Sequence, residues 1–155
     1  MCMTLQDSQT KTELSMTDSP RADPAILAAL VVALAATLGA LFIGEVLGQM
    51  PCVLCWYQRI AMFPLALILG VAAFVDDGGV RRYALPLALA GGAVALWHSG
   101  LYAGVLSEAV APCTREGPSC TDAAMTILGL PIPYLSLAAF VGITLCLLPT
   151  KGTRA

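Results

Sequence analysis

Four apolar stretches separated by short polar breaks organise the chain. From Pro24 to Gly48 the only charge is Glu45, near the far end. At roughly 1.5 Å of rise per residue, a helix over these positions spans the roughly 30 Å hydrocarbon core of a bilayer. The break Gln49-Met50-Pro51-Cys52 leads into a second run, about Val53 to Val75, which carries Arg59 near its start. Asp76-Asp77-Gly78-Gly79 with Arg81-Arg82 ends it. A third run extends from about Tyr83 to Leu106, with Pro86 expected in the first turn, where a missing N–H costs little. Residues 107–126 are polar and form the longest internal loop. The fourth run lies between about Ile127 and Leu148, and Pro131 and Pro133 predict a kinked or extended entry to it.

The pattern predicts an all-α membrane protein, a bundle of four transmembrane helices in one domain over 24–149. Residues 1–23 are polar, mixed in charge and without apolar period, so a disordered tail is expected, and 150–155 form a second short tail. The basic start followed by an apolar stretch that marks a cleaved signal is missing, and Met3 and Met16 are further candidate starts.

Composition agrees. Of 155 residues, 58% are hydrophobic and 12% charged, and the mean hydropathy is +0.82. A soluble domain typically carries about 25% charged residues, so too little polar material is present to cover a water-facing globule. The net charge of −2 and the lack of a basic stripe give no reason to expect nucleic acid as a partner.

Orientation follows from Lys and Arg near the helix ends. Lys11, Arg21, Arg81, Arg82, Lys151 and Arg154 share one side of a four-span arrangement, and Arg59 and Arg115 the other. The six-rich side is expected to be cytoplasmic. Both termini are then cytoplasmic, and the loops carrying most of the cysteines face outward.

Six cysteines stand at 2, 52, 55, 113, 120 and 146. Cys52-Val53-Leu54-Cys55 is a CxxC at the outer mouth of the second helix, where a helix N-terminus favours the reactive thiolate. Cys113 and Cys120 flank the polar, turn-rich Thr114-Arg115-Glu116-Gly117-Pro118-Ser119, which suits an exposed and mobile loop. Two pairs on an oxidising face permit thiol–disulfide exchange through a mixed disulfide. The same residues are compatible with two inert structural bridges, or with four sulfurs binding zinc. Zinc is disfavoured by the outward topology and by the wide spacing of the second pair. Cys146, deep in the fourth run, reads as a small hydrophobe, and Cys2 as a reduced tail cysteine.

Arg59 lies four residues after Cys55 and so shares its helix face. A charge just inside a bilayer normally has a functional partner: a thiolate, or a carbonyl oxygen of a membrane-dissolved ring. The bland alternative is snorkelling to the headgroups. Trp56 and Tyr57 fit an interfacial aromatic belt. His98, the single histidine, sits in the outer half of the third helix. Facing the bundle it could relay a proton to a reduced ring, and otherwise it is a packed histidine bonded to a neighbour. Glu45 has the same two readings, with interfacial exposure favoured.

Pro51-Cys52-Val53-Leu54-Cys55-Trp56-Tyr57-Gln58-Arg59-Ile60, continuing through Met62 and Pro64, closely resembles the signature of the DsbB family, bacterial membrane quinone reductases that reoxidise DsbA-like thioredoxin-fold oxidases. Leu130-Pro131-Ile132-Pro133-Tyr134-Leu135-Ser136-Leu137 is similar to that family's entry into its fourth helix. The resemblance covers about Leu41 to Leu148. It implies Cys52, Cys55, Cys113 and Cys120 as catalytic residues in the inner membrane, with the redox loops on the periplasmic side. By the same likeness Cys55 faces the quinone, Cys52 exchanges with the second loop, Arg59 lies beside the quinone, Cys113 takes the mixed disulfide with the soluble oxidase, and Cys120 bridges transiently to Cys52. A quinone, ubiquinone or menaquinone, is the implied electron acceptor, with Cys55, Arg59 and His98 as its candidate contacts and no metal. The six-residue gap of the second pair is shorter than in the best-known proteobacterial members and resembles the short-loop BdbC-type branch of Gram-positive bacteria. It is also similar to the loop pair of vitamin K epoxide reductases, which lack the WYQR block. An epoxide or quinone reductase of that kind, and a non-enzymatic protein stapled by structural disulfides, are the alternatives.

Overall fold

A computed structural model of the chain describes residues 23–106, 120, 126–127 and 129–148. Residues 1–22, 107–119 with Cys113, 121–125, 128 and 149–155 lie outside the described residues, and with them the expectations placed on those positions.

Helix α1 spans Pro24–Leu41 and passes into a π turn at Phe42–Val46. Asp23 caps its start, accepting from the Ala25 N–H at 2.9 Å, and Pro24 occupies the first turn, where its lost donor is not missed. Helix α2 spans Val53–Val75 and ends on Asp76 in the left-handed conformation, φ 53°. Asp77 then accepts from the Gly79 N–H at 2.8 Å, turning the chain through a short 3₁₀ segment, Gly78–Val80. Helix α3 spans Arg81–Tyr102. It begins two residues before the Tyr83 expected from the apolar run, because the 3₁₀ segment feeds directly into it, and Pro86 therefore lies in the second turn. A small antiparallel ribbon, β1 (Thr126–Ile127) with β2 (Leu130–Pro131), precedes helix α4 (Ile132–Leu147). The ribbon turns at Gly129, φ 81°. The extended entry expected from Pro131 and Pro133 is this ribbon: Pro131 is the N-cap in extended conformation, and α4 begins beside it.

Three segments, Pro24–Val46, Val53–Val75 and Gly78–Tyr102, are long and apolar enough to cross a membrane, and Ile132–Leu147 is a shorter apolar helix. Among the described residues the four helices close into a ring in which α1 and α3 each pack on α2 and α4. Small residues point inward: Ala29 and Ala33 on α1, Ala61, Ala66 and Ala72 on α2, and Ala84, Ala88 and Ala95 on α3 are buried. Large apolar side chains point outward, with Val31 64% and Phe74 92% exposed. A water-soluble bundle reverses this order; a lipid-facing one packs its backbones closely through small residues. At the centre the Phe140 ring of α4 fills the space over Gly91 of α3, where a Cβ would overlap the ring.

Arg81 fastens one end of the ring. It pairs with Asp23 at 2.6 Å and donates to the Leu148 carbonyl at 3.2 Å, joining the starts of α1 and α3 to the end of α4. The other end carries the Cys52 mouth of α2, the π turn, the end of α3 and the ribbon.

Candidate functional site

Cys52 is the N-cap of α2, and this position builds the site. Its Sγ accepts from the Cys55 backbone N–H at 3.3 Å, the usual task of a capping side chain, here performed by sulfur. One helical turn brings the Cys55 sulfur to 2.8 Å from that of Cys52, with both thiols free and sharing a hydrogen bond. Cys52 is 1% exposed. Its thiol is lowered from the ordinary 9.0 to about 5. The hydrogen bond with the Cys55 thiol is the main cause; burial opposes it, and His98 and the Cys55 N–H assist it.

His98, on α3, is completely buried against this mouth. Its Nε2 lies 3.1 Å from the Cys120 carbonyl oxygen and 3.9 Å from Cys52 Sγ, and its Nδ1 lies 3.1 Å from the side-chain amide nitrogen of Gln58. A carbonyl only accepts, so the proton is assigned to Nε2, which donates to Cys120, while Nδ1 accepts from Gln58. Cys120 is itself buried and disulfide-bonded. It shares one apolar cluster with Cys52, Leu54 and Leu101. Nearby, the Ser99 hydroxyl donates to the Ala95 and Pro133 carbonyls at 2.8 and 3.2 Å, tying the end of α3 to the start of α4.

On the opposite side of the CxxC a cavity of about 720 Å³ opens between α1, α2 and α4, within the size range of small-molecule sites. Its wall is apolar apart from a few groups, among them Cys55, Gln58, Arg59 and Ser136. The Arg59 guanidinium donates from Nη2 to the Ala40 carbonyl at 2.7 Å and lies 5.8 Å from the centre of the Trp56 ring. Gly44, in the π turn, makes room for it, since a Cβ there would come within 3.2 Å of both terminal nitrogens. Cys55 and Arg59 thus stand one turn apart on the same wall, in keeping with their four-residue spacing.

The structure sorts the other candidates. His98 is not on the cavity wall; Gln58 is, and His98 lies behind it against Cys52 and Cys120. Glu45 is exposed in the π turn. Cys146 packs at the edge of the main core. Cys113 lies outside the described residues. Cys52, Cys55 and His98 bring two sulfurs and an imidazole within 4.8 Å, a soft donor set of the kind that holds zinc. In the arrangement present, however, Nε2 is committed to the Cys120 carbonyl and the sulfurs face each other. Sequence reasoning misses Gln58, although its place three residues after Cys55 puts it on the face shared by the CxxC and α3.

Comparison with known proteins gives the family. The family model "Disulfide bond formation protein DsbB" matches residues 22–149. A "Probable disulfide formation protein" of Metapseudomonas resinovorans is 52% identical over 124 residues, 79% of this chain and 86% of its own. "Disulfide bond formation protein C" of Bacillus subtilis is 38% identical over 131 residues, 84% of this chain and 94% of its own. A "Probable disulfide formation protein" of Deinococcus radiodurans is 42% identical over 127 residues, 76% of this chain and 82% of its own. No solved structure matches significantly. With its CxxC capping a membrane helix beside an arginine-lined cavity, the chain belongs to the DsbB family of disulfide bond formation proteins.

Proposed function

We propose that this chain is a membrane disulfide-generating oxidoreductase that reoxidises a DsbA-like thioredoxin-fold oxidase and delivers two electrons to a membrane quinone, ubiquinone or menaquinone. The observation that carries the reading is Cys55 on the wall of an apolar cavity, one turn from Arg59, with its sulfur 2.8 Å from Cys52. On this reading all four helices span the bacterial inner membrane, both termini are cytoplasmic, and the CxxC mouth faces the periplasm. The excess of Lys and Arg at the Arg81 end supports that orientation.

The cavity's residues fit a quinone: the walls are apolar and small, and Arg59 has five N–H donors, of which one is spent on Ala40. When bound, the quinone supplies the two-electron acceptor. The protein's own part is thiol chemistry. A thiolate of the soluble oxidase attacks the Cys113–Cys120 disulfide at Cys113, forming a mixed disulfide and releasing Cys120 as thiolate. Resolution of that link by the oxidase's second thiol, and exchange between the pairs, leave the oxidase disulfide-bonded and Cys52 and Cys55 as a dithiol. Closing the Cys52–Cys55 disulfide then gives up two electrons and two protons. The lowered Cys52 thiol suits it for exchange, while Cys55 is placed toward the acceptor.

The test is quinone reduction by the purified protein in lipid nanodiscs, followed by the loss of quinone absorbance, with a reduced thioredoxin-fold oxidase as donor. Wild type should turn over and Cys55→Ser should not. If neither a ubiquinone nor a menaquinone analogue is reduced, the proposal is wrong.

A further inference from the structure

We propose that His98 is a positioning residue for exchange between the two cysteine pairs: it holds the Cys120 backbone beside Cys52 and selects Cys52, rather than Cys55, as the sulfur attacked. The inference rests on the relay described above and adds to it a residue that steers one step.

Three contacts place His98 in this role. Its Nε2 proton donates to the Cys120 carbonyl at 3.1 Å, which fixes the backbone of the residue whose sulfur must travel. The same nitrogen stands 3.9 Å from Cys52 Sγ, so a single ring atom touches both partners of the exchange. Gln58 donates to Nδ1 at 3.1 Å and thereby keeps the proton on Nε2. A buried imidazole with both nitrogens engaged has a fixed orientation, and His98 is completely buried. Cys120 and Cys52 also share one buried apolar cluster, so water is excluded where the new bond forms.

The step balances without a further reactant. The Cys120 thiolate, released when its disulfide is reduced, attacks Cys52 Sγ. The Cys52–Cys120 bond forms, the Cys52–Cys55 bond breaks, and the electron pair leaves on Cys55 Sγ as thiolate. No proton is gained or lost. When the Cys113 thiolate, freed as the oxidase departs, then attacks Cys120 Sγ, the Cys113–Cys120 bond re-forms and Cys52 leaves as thiolate 3.9 Å from His98 Nε2. What directs attack to Cys52 rather than Cys55 is position: Cys52 faces the histidine and shares a buried cluster with Cys120, while Cys55 faces the cavity. Steering toward Cys52 therefore always frees the sulfur beside Arg59.

The test uses the full chain carrying Cys55→Ser and Cys113→Ser, in which Cys52 and Cys120 can pair only with each other within this site. Titration in nanodiscs against glutathione redox buffers gives their effective concentration, read by thiol alkylation and mass spectrometry. Adding His98→Ala should lower it about tenfold, the worth of one net hydrogen bond of about 1 to 1.5 kcal/mol. His98→Gln, which keeps a donor, should restore part of the loss. In the otherwise wild-type chain, His98→Ala should lower kcat with the KM for quinone unchanged. Should His98→Ala fail to fold, Gln58→Met in the same titration should lower the effective concentration in the same direction. An effective concentration within twofold of the parent in folded His98→Ala, or a raised quinone KM at unchanged kcat, overturns the inference alone. A parent chain that never forms the Cys52–Cys120 disulfide overturns the relay with it.

Discussion

Replacing Arg59 with alanine tests the cavity as the electron-acceptor site. The guanidinium sits on the cavity wall, held by the Ala40 carbonyl at 2.7 Å and by the Trp56 ring, with its remaining donors available to a carbonyl oxygen of a bound ring. A hydrogen bond from a charged donor contributes about 1.5 to 3 kcal/mol, which corresponds to about 10- to 150-fold in affinity. Because Arg59 is only half-buried, the lower end applies, and Arg59→Ala should raise the KM for quinone about tenfold. Arg59→Lys keeps the charge but loses the forked geometry that reaches Ala40 and the cavity together, so its KM should fall between the two. The assay is initial rate against quinone concentration in nanodiscs, at saturating reduced oxidase, with folding checked by thermal unfolding. A KM within twofold of wild type in Arg59→Ala would refute the role, and Arg59 would then be a headgroup anchor.

Gly39 lines the same cavity, and a Cβ there meets nothing within 4 Å. Gly39→Leu should leave folding intact or stabilise it by roughly 0.5–1 kcal/mol through helix propensity, while raising the quinone KM severalfold; an unchanged KM would place the quinone elsewhere. Gly91→Ala should destabilise the bundle by about 1–3 kcal/mol in detergent unfolding, because the added methyl meets Phe140 and lies 3.0 Å from Ala61, and unaltered stability would show that Phe140 repacks freely. The hydrogen bond from Cys55 lowers the Cys52 thiol, so its thiolate is kept as pH falls well below the ordinary thiol range. The difference in thiolate absorbance between reduced wild type and Cys52→Ser should therefore titrate well below the ordinary thiol range; a midpoint near the ordinary 9.0 would mean the Cys55 hydrogen bond is not formed.

Much of the fold and of the site is legible in the sequence alone, for physical reasons that can be named. Apolar runs long enough to cross a bilayer, broken by Asp76-Asp77-Gly78-Gly79 and by Gln49-Met50-Pro51-Cys52, are a one-dimensional signal, and α1, α2 and α3 fall where the runs do. The four-residue step from Cys55 to Arg59 needs only helical periodicity, and both side chains do share the cavity wall. What stays hidden depends on which helices meet and how they are rotated. The sequence shows the depth of His98 in α3 but not its azimuth, so it leaves open whether the imidazole meets the ring; in the structure it turns toward Cys52 and Cys120. Helical spacing puts Gln58 on the CxxC face, but its meaning comes from the histidine 40 positions away, which the sequence does not bring to it. The π turn at Phe42–Val46 has no composition signal apart from Gly44, yet it brings Ala40 and Gly44 against Arg59. The fourth helix begins at Ile132 rather than near Ile127 because Pro131 and Pro133 favour extended backbone ahead of it, and the chain uses that preference to form a ribbon.

The central claim is that the Cys52–Cys55 dithiol is the direct electron donor to a quinone, and a single anaerobic turnover tests it most directly. Protein with Cys52 and Cys55 reduced is mixed with one equivalent of quinone in nanodiscs, quenched at intervals, alkylated and mapped by mass spectrometry while quinol is measured in parallel. The account predicts that alkylation of Cys52 and Cys55 disappears together, at the rate quinol appears, and in the ratio of one disulfide per quinol. Quinol formed while both cysteines remain alkylatable would contradict it.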